Sequence, residues 1–272
     1  MDTGLLVTMV VAAVVQILFP LGLGLYIARR WRVPWKFFLY GALVYMVSRE
    51  LTWSPLLKML QSTIAGWLPL SSWYKYGWVL VLALTAGLFE EGGRYLGYRF
   101  LWKNEDKTWP RALMYGAGHG GVVLILVIAV GMLLRVYDII YVFQVDLATL
   151  TAEQADLVTQ FRAEVALTSW WLPLVEILVP LLSMALQVAL SVLVLQVFTR
   201  GQSYWWWLAV GYNTLSNLVL LLVVDGVNTL LPRWAAALVT AAAALPFALF
   251  GLWLIWRLRP KDTGELLPAA AG

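Results

Sequence analysis

The chain has no cysteine and a single histidine, His119, among its 272 residues. Disulfide frameworks, thiolate metal sites and cysteine nucleophiles are thereby excluded. Charge is scarce as well: 12% of the residues are Asp, Glu, Lys or Arg, where a soluble domain carries roughly 25%. With 62% hydrophobic residues, the composition is that of a protein made for lipid. The net charge of +4 does not amount to a nucleic-acid footprint, because the cations sit beside hydrophobic runs and form no separate basic patch. The expected partner is the bilayer, with no nucleic acid.

Crossing a hydrocarbon core takes about 20 apolar residues per helix. Seven such runs are present, near Leu5 to Ile27, Trp35 to Leu60, Tyr76 to Leu101, Ala112 to Leu134, Trp171 to Phe198, Trp205 to Val224 and Leu230 to Trp256. The predicted fold class is all-α, a polytopic transmembrane helical bundle of about seven spans with room for an eighth. The fifth run contains Pro173, Glu176, Pro180 and Gln187 and is expected to be broken or tilted. No linker, composition break or repeat divides residues 1–272, so one integral membrane domain is expected.

Met1 to Gly4 carry an acid, Asp2, and no basic n-region, which argues against a cleaved signal peptide. Arg29, Arg30, Arg32 and Lys36 follow the first run; Arg99, Lys103, Lys107 and Arg111 the third; Arg200 the fifth; Arg257, Arg259 and Lys261 the seventh. The other side carries only Lys58, Lys75, Arg135, Arg162 and Arg233. The positive-inside rule then predicts a multi-pass plasma-membrane protein with its N-terminus outside and its C-terminus cytoplasmic. Tryptophans at the expected interfaces, such as Trp31, Trp35, Trp102 and Trp109, agree with aromatic belts. One longer extracytoplasmic segment, about 135–169, holds a capping box, Thr151 with Gln154. After it, Leu157, Val158, Phe161 and Val165 share one side of a surface helix.

Ionisable groups at lipid depth face a bundle interior or a wet cavity, so they are the candidates for chemistry. Glu90 and Glu91 are adjacent, with Arg94 one turn on and able to pair with either. Neighbouring helical positions point about 100° apart, so one carboxylate can pair with Arg94 while the other faces a cavity as a general base. A buried ion pair that only fixes packing is the alternative. His119 stands in Gly118-His119-Gly120-Gly121. Those glycines either admit a neighbouring helix or leave room for water beside the imidazole. Glu176, Ser183 and Gln187 fall near one helical face, Asn213 and Asn217 are one turn apart, and Arg49 with Glu50 is expected as a local pair.

Glu90-Glu91-Gly-Gly-Arg94, Gly118-His119-Gly120-Gly121 and Tyr212-Asn213-Thr-Leu-Ser-Asn217-Leu resemble the YhfC-like family of predicted intramembrane peptidases. That family is similar to the CAAX-protease and bacteriocin-processing superfamily, the glutamic-type intramembrane proteases. The resemblance implies cleavage of a peptide bond of a membrane protein or peptide. Glu90 or Glu91 would be the base, Arg94 its orienting partner, and His119 a hydrogen-bonding group for water or oxyanion. Two departures are visible: Val122 and Val123 stand where an acid often follows the glycine-histidine stretch, and Gln187 and Asn213 stand where later histidines are expected. One histidine cannot complete a two-histidine zinc site, so no bound metal or other cofactor is predicted. In a metal-free scheme Gln187, Asn213 or Asn217 would donate to the oxyanion. Three readings follow: an endopeptidase with a glutamate-activated water, a pseudoprotease that binds a membrane segment without cutting it, and a transporter or proton relay using Glu90, Glu91, His119 and Glu176.

Overall fold

The computed structural model describes residues 3–64 and 72–260, and it is helical in nearly all of them. The N-terminal Asp2 and the basic Lys261 discussed above lie outside the described residues. Eight helices follow one another: α1 (Thr3–Trp31), α2 (Lys36–Tyr45, Met46–Trp53 and Ser54–Ile64), α3 (Ser72–Leu96 and Gly97–Leu101), α4 (Trp109–Gln144), α5 (Ala152–Leu167), α6 (Leu172–Arg200), α7 (Tyr204–Leu230) and α8 (Arg233–Arg257). No strand occurs among the described residues. The all-α polytopic bundle is therefore as expected. Among the described residues five helices, α1, α4, α6, α7 and α8, are by length and composition long and apolar enough to cross a membrane. The runs expected as the second and third spans form α2 and α3, the helices that carry Arg49, Glu50, Glu90, Glu91 and Arg94.

Local sequence sets the irregularities. Residues Met46–Trp53 of α2 are π-helical. Pro55, two residues on, has no N–H to donate back into the helix, while the Ser48 and Thr52 hydroxyls bond the carbonyls of Val44 and Val47. In α6 the helical register breaks at Ile177, between Pro173 and Pro180, as the prolines predict. The helix ends on Gly201, whose φ of 69° is the left-handed conformation a glycine cap supplies.

α4 runs ten residues beyond Leu134, into the segment expected as loop. Val136, Ile139 and Phe143 keep its apolar face going, and Arg135 finds Glu164 of α5 at 3.1 Å. The capping box at Thr151 and Gln154 is present. α5 docks by the expected side through Phe161 and Val165, with Val158 half-buried, except that Leu157 is exposed and Arg162 turns inward. Arg162 donates to the carbonyls of Val142 and Val145, satisfying the C-terminal end of α4.

α4 is the centre of the bundle. It packs against α2 on one side and α6 on the other, α1 lies along it, α8 backs α6, and α7 joins α3 to α8. The glycines make this approach possible. A Cβ on Gly118 would come 1.9 Å from the Phe38 carbonyl oxygen, and one on Gly116 would come 2.6 Å from Val188 Cα. Without a hydrophobic drive between helices in lipid, such close van der Waals contact is what holds them together. The glycine-rich stretch thus admits neighbouring helices on both sides, and the room beside the imidazole is taken by α2 and α6.

Candidate functional site

α3, α6 and α7 bring a polar network into the middle of this packing. Glu91 is fully buried. Its Oε1 accepts a 2.8 Å hydrogen bond from Asn213 Nδ2, and its Oε2 lies 3.1 Å from Arg94 Nε. The angle at that second contact is not that of a hydrogen bond, so Arg94 holds Glu91 by charge. The rest of the guanidinium is spent on α6: it donates to Ser191 Oγ at 2.7 Å, to the Gln187 carbonyl at 3.1 Å and to Gln187 Oε1 at 2.7 Å. Arg94 therefore ties α3 to α6 while neutralising Glu91.

Glu90 takes a different cation. Arg49 of α2 places a guanidinium nitrogen 3.1 Å from its Oε1, while Oε2 accepts from Asn213 at 3.2 Å and from Gln187 Nε2 at 3.5 Å. Asn213 bridges both carboxylates and is itself steadied by Asn217, which donates 2.8 Å to its Oδ1. Arg49 is stacked on Trp53, 3.7 Å from the ring centroid, and its side chain keeps 22% of its surface exposed. Glu90 sits just behind it with 6% exposure, whereas Glu91 and Arg94 have none. Of the two carboxylates, Glu90 is the one nearer the surface.

The expected local pair of Arg49 with Glu50 is replaced by longer connections. Arg49 crosses to Glu90, and Glu50 accepts from the Tyr45 hydroxyl at 3.0 Å. The π-helical segment changes which residues of α2 face α3, which sequence adjacency could not reveal. The expectation that only one carboxylate pairs with arginine is likewise corrected: each has its own.

His119 stands in the adjoining layer. It is fully buried, its ring meets Tyr45 edge to face at 5.3 Å, and neither ring nitrogen has a hydrogen-bond partner among the described residues. Glu176 and Ser183 do not join the network. Glu176 lies 3.4 Å from Arg233, and the Ser183 hydroxyl bonds the Pro180 carbonyl. A proton path through Glu90, Glu91, His119 and Glu176 therefore lacks its last member at this centre.

Several supporting residues escaped the sequence reading. Ser191 is one helical turn after Gln187, a spacing that could have signalled it. Trp206 donates to the Glu91 carbonyl at 3.0 Å, Tyr115 to the Arg94 carbonyl at 3.3 Å, and Tyr98 to the Ser191 carbonyl at 2.9 Å. These bonds hold the main chain around the carboxylates. Beside the site, an apolar groove of about 240 Å³ runs along the seam of α2 and α3, with Ser48 and Gly93 in its wall.

Fold and site together define a multi-pass integral membrane protein whose buried charges converge from separate helices at one centre. Comparison with known proteins gives that class a family. The model of the YhfC intramembrane metalloprotease family matches residues 15–240, and the chain belongs to that family. It is 32% identical over 148 residues to the membrane protein YhfC of Bacillus subtilis (strain 168). That match covers 53% of this chain and 54% of the relative, so it spans about half of the relative's length. No solved structure matches.

The family description implies a metal, and the residues of this centre do not fit one. A catalytic metal takes three protein ligands, ordinarily histidines and carboxylates. Among the described residues no three His, Cys, Asp or Glu side chains converge to hold an ion. Both carboxylates face guanidinium groups, which would repel a dication, and the amides of Gln187 and Asn213 are weak ligands.

Proposed function

We propose that the chain is an intramembrane endopeptidase in which Glu90 activates water without a metal. The observation that carries this reading is the unequal placement of the two glutamates. Glu91 is consumed by Arg94 and Asn213 in the sealed interior, while Glu90 lies at the edge behind the partly exposed Arg49. In this reading water enters beside Arg49, Glu90 removes its proton as it attacks the peptide carbonyl, and the same proton passes to the leaving amine. Gln187 donates to Glu90 across 3.5 Å, the longest contact of the network, so its amide is the donor best able to turn to the oxyanion. Arg49 provides positive charge at the same edge, while Arg94, Glu91, Asn213 and Asn217 hold the geometry. His119 lies fully buried behind Tyr45 with α2 and α6 filling the space around it, so in this reading it supports Tyr45 and the layer behind the site. The groove between α2 and α3 supplies an apolar approach for a membrane segment.

The distribution of cations supports an external N-terminus and a cytoplasmic C-terminus in the plasma membrane. A second reading, a pseudoprotease that binds a membrane segment without cutting it, is favoured by one observation: an arginine faces each carboxylate. Cleavage of a panel of membrane peptides in liposomes separates the two. The endopeptidase predicts cleavage that is insensitive to chelator, lost by about 10²-fold or more in Glu90→Gln and reduced in His119→Ala. Binding without cleavage by the wild type would establish the pseudoprotease, and cleavage abolished by chelator would overturn the metal-free scheme.

A further inference from the structure

A second cavity, of about 500 Å³, opens far from the carboxylates where the start of α4 meets the ends of α6 and α8. Its wall carries four cations, Lys107, Arg200, Arg257 and Arg259, and no acidic side chain among the described residues. The catalytic reading uses none of them. Aromatic rings lie beside their charged heads: Arg200 is over Trp205 at 5.0 Å, Arg259 over Trp109 at 5.8 Å, and Lys107, whose ammonium also donates to the Trp102 carbonyl at 3.0 Å, over Phe198 at 5.6 Å. Stacked in this way, Arg200 keeps the N–H edge of its guanidinium open to an anion. Thr108 and Thr199 add hydroxyls, and the Thr108 side chain makes no capping bond to its own helix. The floor, by contrast, is apolar, with Trp109, Leu195 and Leu258.

The geometry points to this cavity as a binding site for the phosphate-bearing headgroup of an anionic phospholipid. Three features select a lipid over a soluble anion. The cavity lies at the ends of three membrane-length helices, which is the level of the headgroups. Its charge is of one sign and concentrated between helices, the pattern that holds anionic headgroups against zwitterionic ones. The apolar floor continues the surface that acyl chains cover. A bound headgroup would bridge α4, α6 and α8.

The test uses the full chain in nanodiscs of phosphatidylcholine doped with phosphatidylglycerol or cardiolipin, with retained lipids counted by native mass spectrometry after release into detergent. The expected result is selective retention of anionic lipid, reduced about fivefold for each cation removed in Arg200→Gln and Arg257→Gln. Arg135→Gln with Arg233→Gln, at the other end of the bundle, should retain it unchanged. Thermal unfolding in pure phosphatidylcholine checks that the variants fold, and it should not differ between them and the wild type. Equal retention of phosphatidylcholine, or full retention by a folded Arg200→Gln, Arg257→Gln double variant, would overturn the site. Displacement of the lipid by millimolar inorganic phosphate would show a free-anion site and overturn the lipid assignment.

Discussion

Replacing Arg94 by glutamine would strip Glu91 of its cation where neither side chain has any solvent exposure. A carboxylate left buried without its partner destabilises a protein by about 3–5 kcal/mol. The same change removes donors to Ser191 Oγ, the Gln187 carbonyl and Gln187 Oε1, so the upper half of that range is expected. Glu91→Gln creates the mirror problem, an uncompensated guanidinium, and should cost a similar amount. In the double variant Glu91→Gln, Arg94→Gln no charge remains unpaired, and the loss should fall short of the summed single losses by about 2–3 kcal/mol. The four proteins can be compared by unfolding in mixed micelles with rising SDS, followed by ellipticity. Arg94→Lys should recover little, since an ammonium cannot address a carboxylate, a hydroxyl and an amide in one plane. Additive losses, or a single-variant loss below about 1 kcal/mol, would refute the argument that this pair is a closed electrostatic unit.

Gly118→Ala forces a Cβ to within 1.9 Å of a main-chain oxygen of α2 and should destabilise by about 2 kcal/mol or more, whereas Gly131→Ala, which meets nothing within 4 Å, should be close to neutral; the same SDS titration reads both. Arg162→Met takes the guanidinium from the carbonyls at the end of α4 and leaves that of Val145 without this donor, so amide hydrogen exchange across α5 should accelerate by at least tenfold while the exchange of α4 near His119 stays slow. In the turn before α4, the hydrogen bond from Lys36 to Glu105, with the charges of Lys36 and Arg111, holds the Glu105 carboxyl below the ordinary glutamate range. A lowered folded-state pKa stabilises above the unfolded value and loses that contribution as pH falls through the folded one. The wild type should therefore be slightly more stable than Glu105→Gln at neutral pH and converge with it only as the pH falls below the ordinary glutamate range, as thermal unfolding at a series of pH values would show.

The bundle was legible in the sequence because lipid imposes a length and a composition that a run of apolar residues displays directly. The end of α4 was less so: Arg135 reads as a terminator, but its charge is met by Glu164 from a helix not yet formed in the reader's mind. The members of the site were mostly found as polar residues out of place in apolar helices, which is how Glu90, Glu91, Arg94, Gln187 and Asn213 stood out. Their pairing was not. Arg49 and Glu90 are separated by a π-helical turn and a helix crossing, and neither leaves a spacing rule. Tyr98, Tyr115 and Trp206 were absorbed into the general aromatic content, since a phenol or indole that bonds a main-chain carbonyl looks the same in sequence as one facing lipid.

The contacts of Gly118 and Gly116 carry a mechanical consequence. With main chain seated almost directly on main chain, α2, α4 and α6 have no side-chain cushion through which to slide or tilt, and separating them would open a void along their length. Compliance must lie elsewhere, and the seam of α2 and α3, with Ser48 and Gly93 in its wall, already holds an apolar groove. If the proposed endopeptidase takes its substrate along that seam, crosslinking α2 to α3 should block cleavage while leaving the packing of the central helices unchanged.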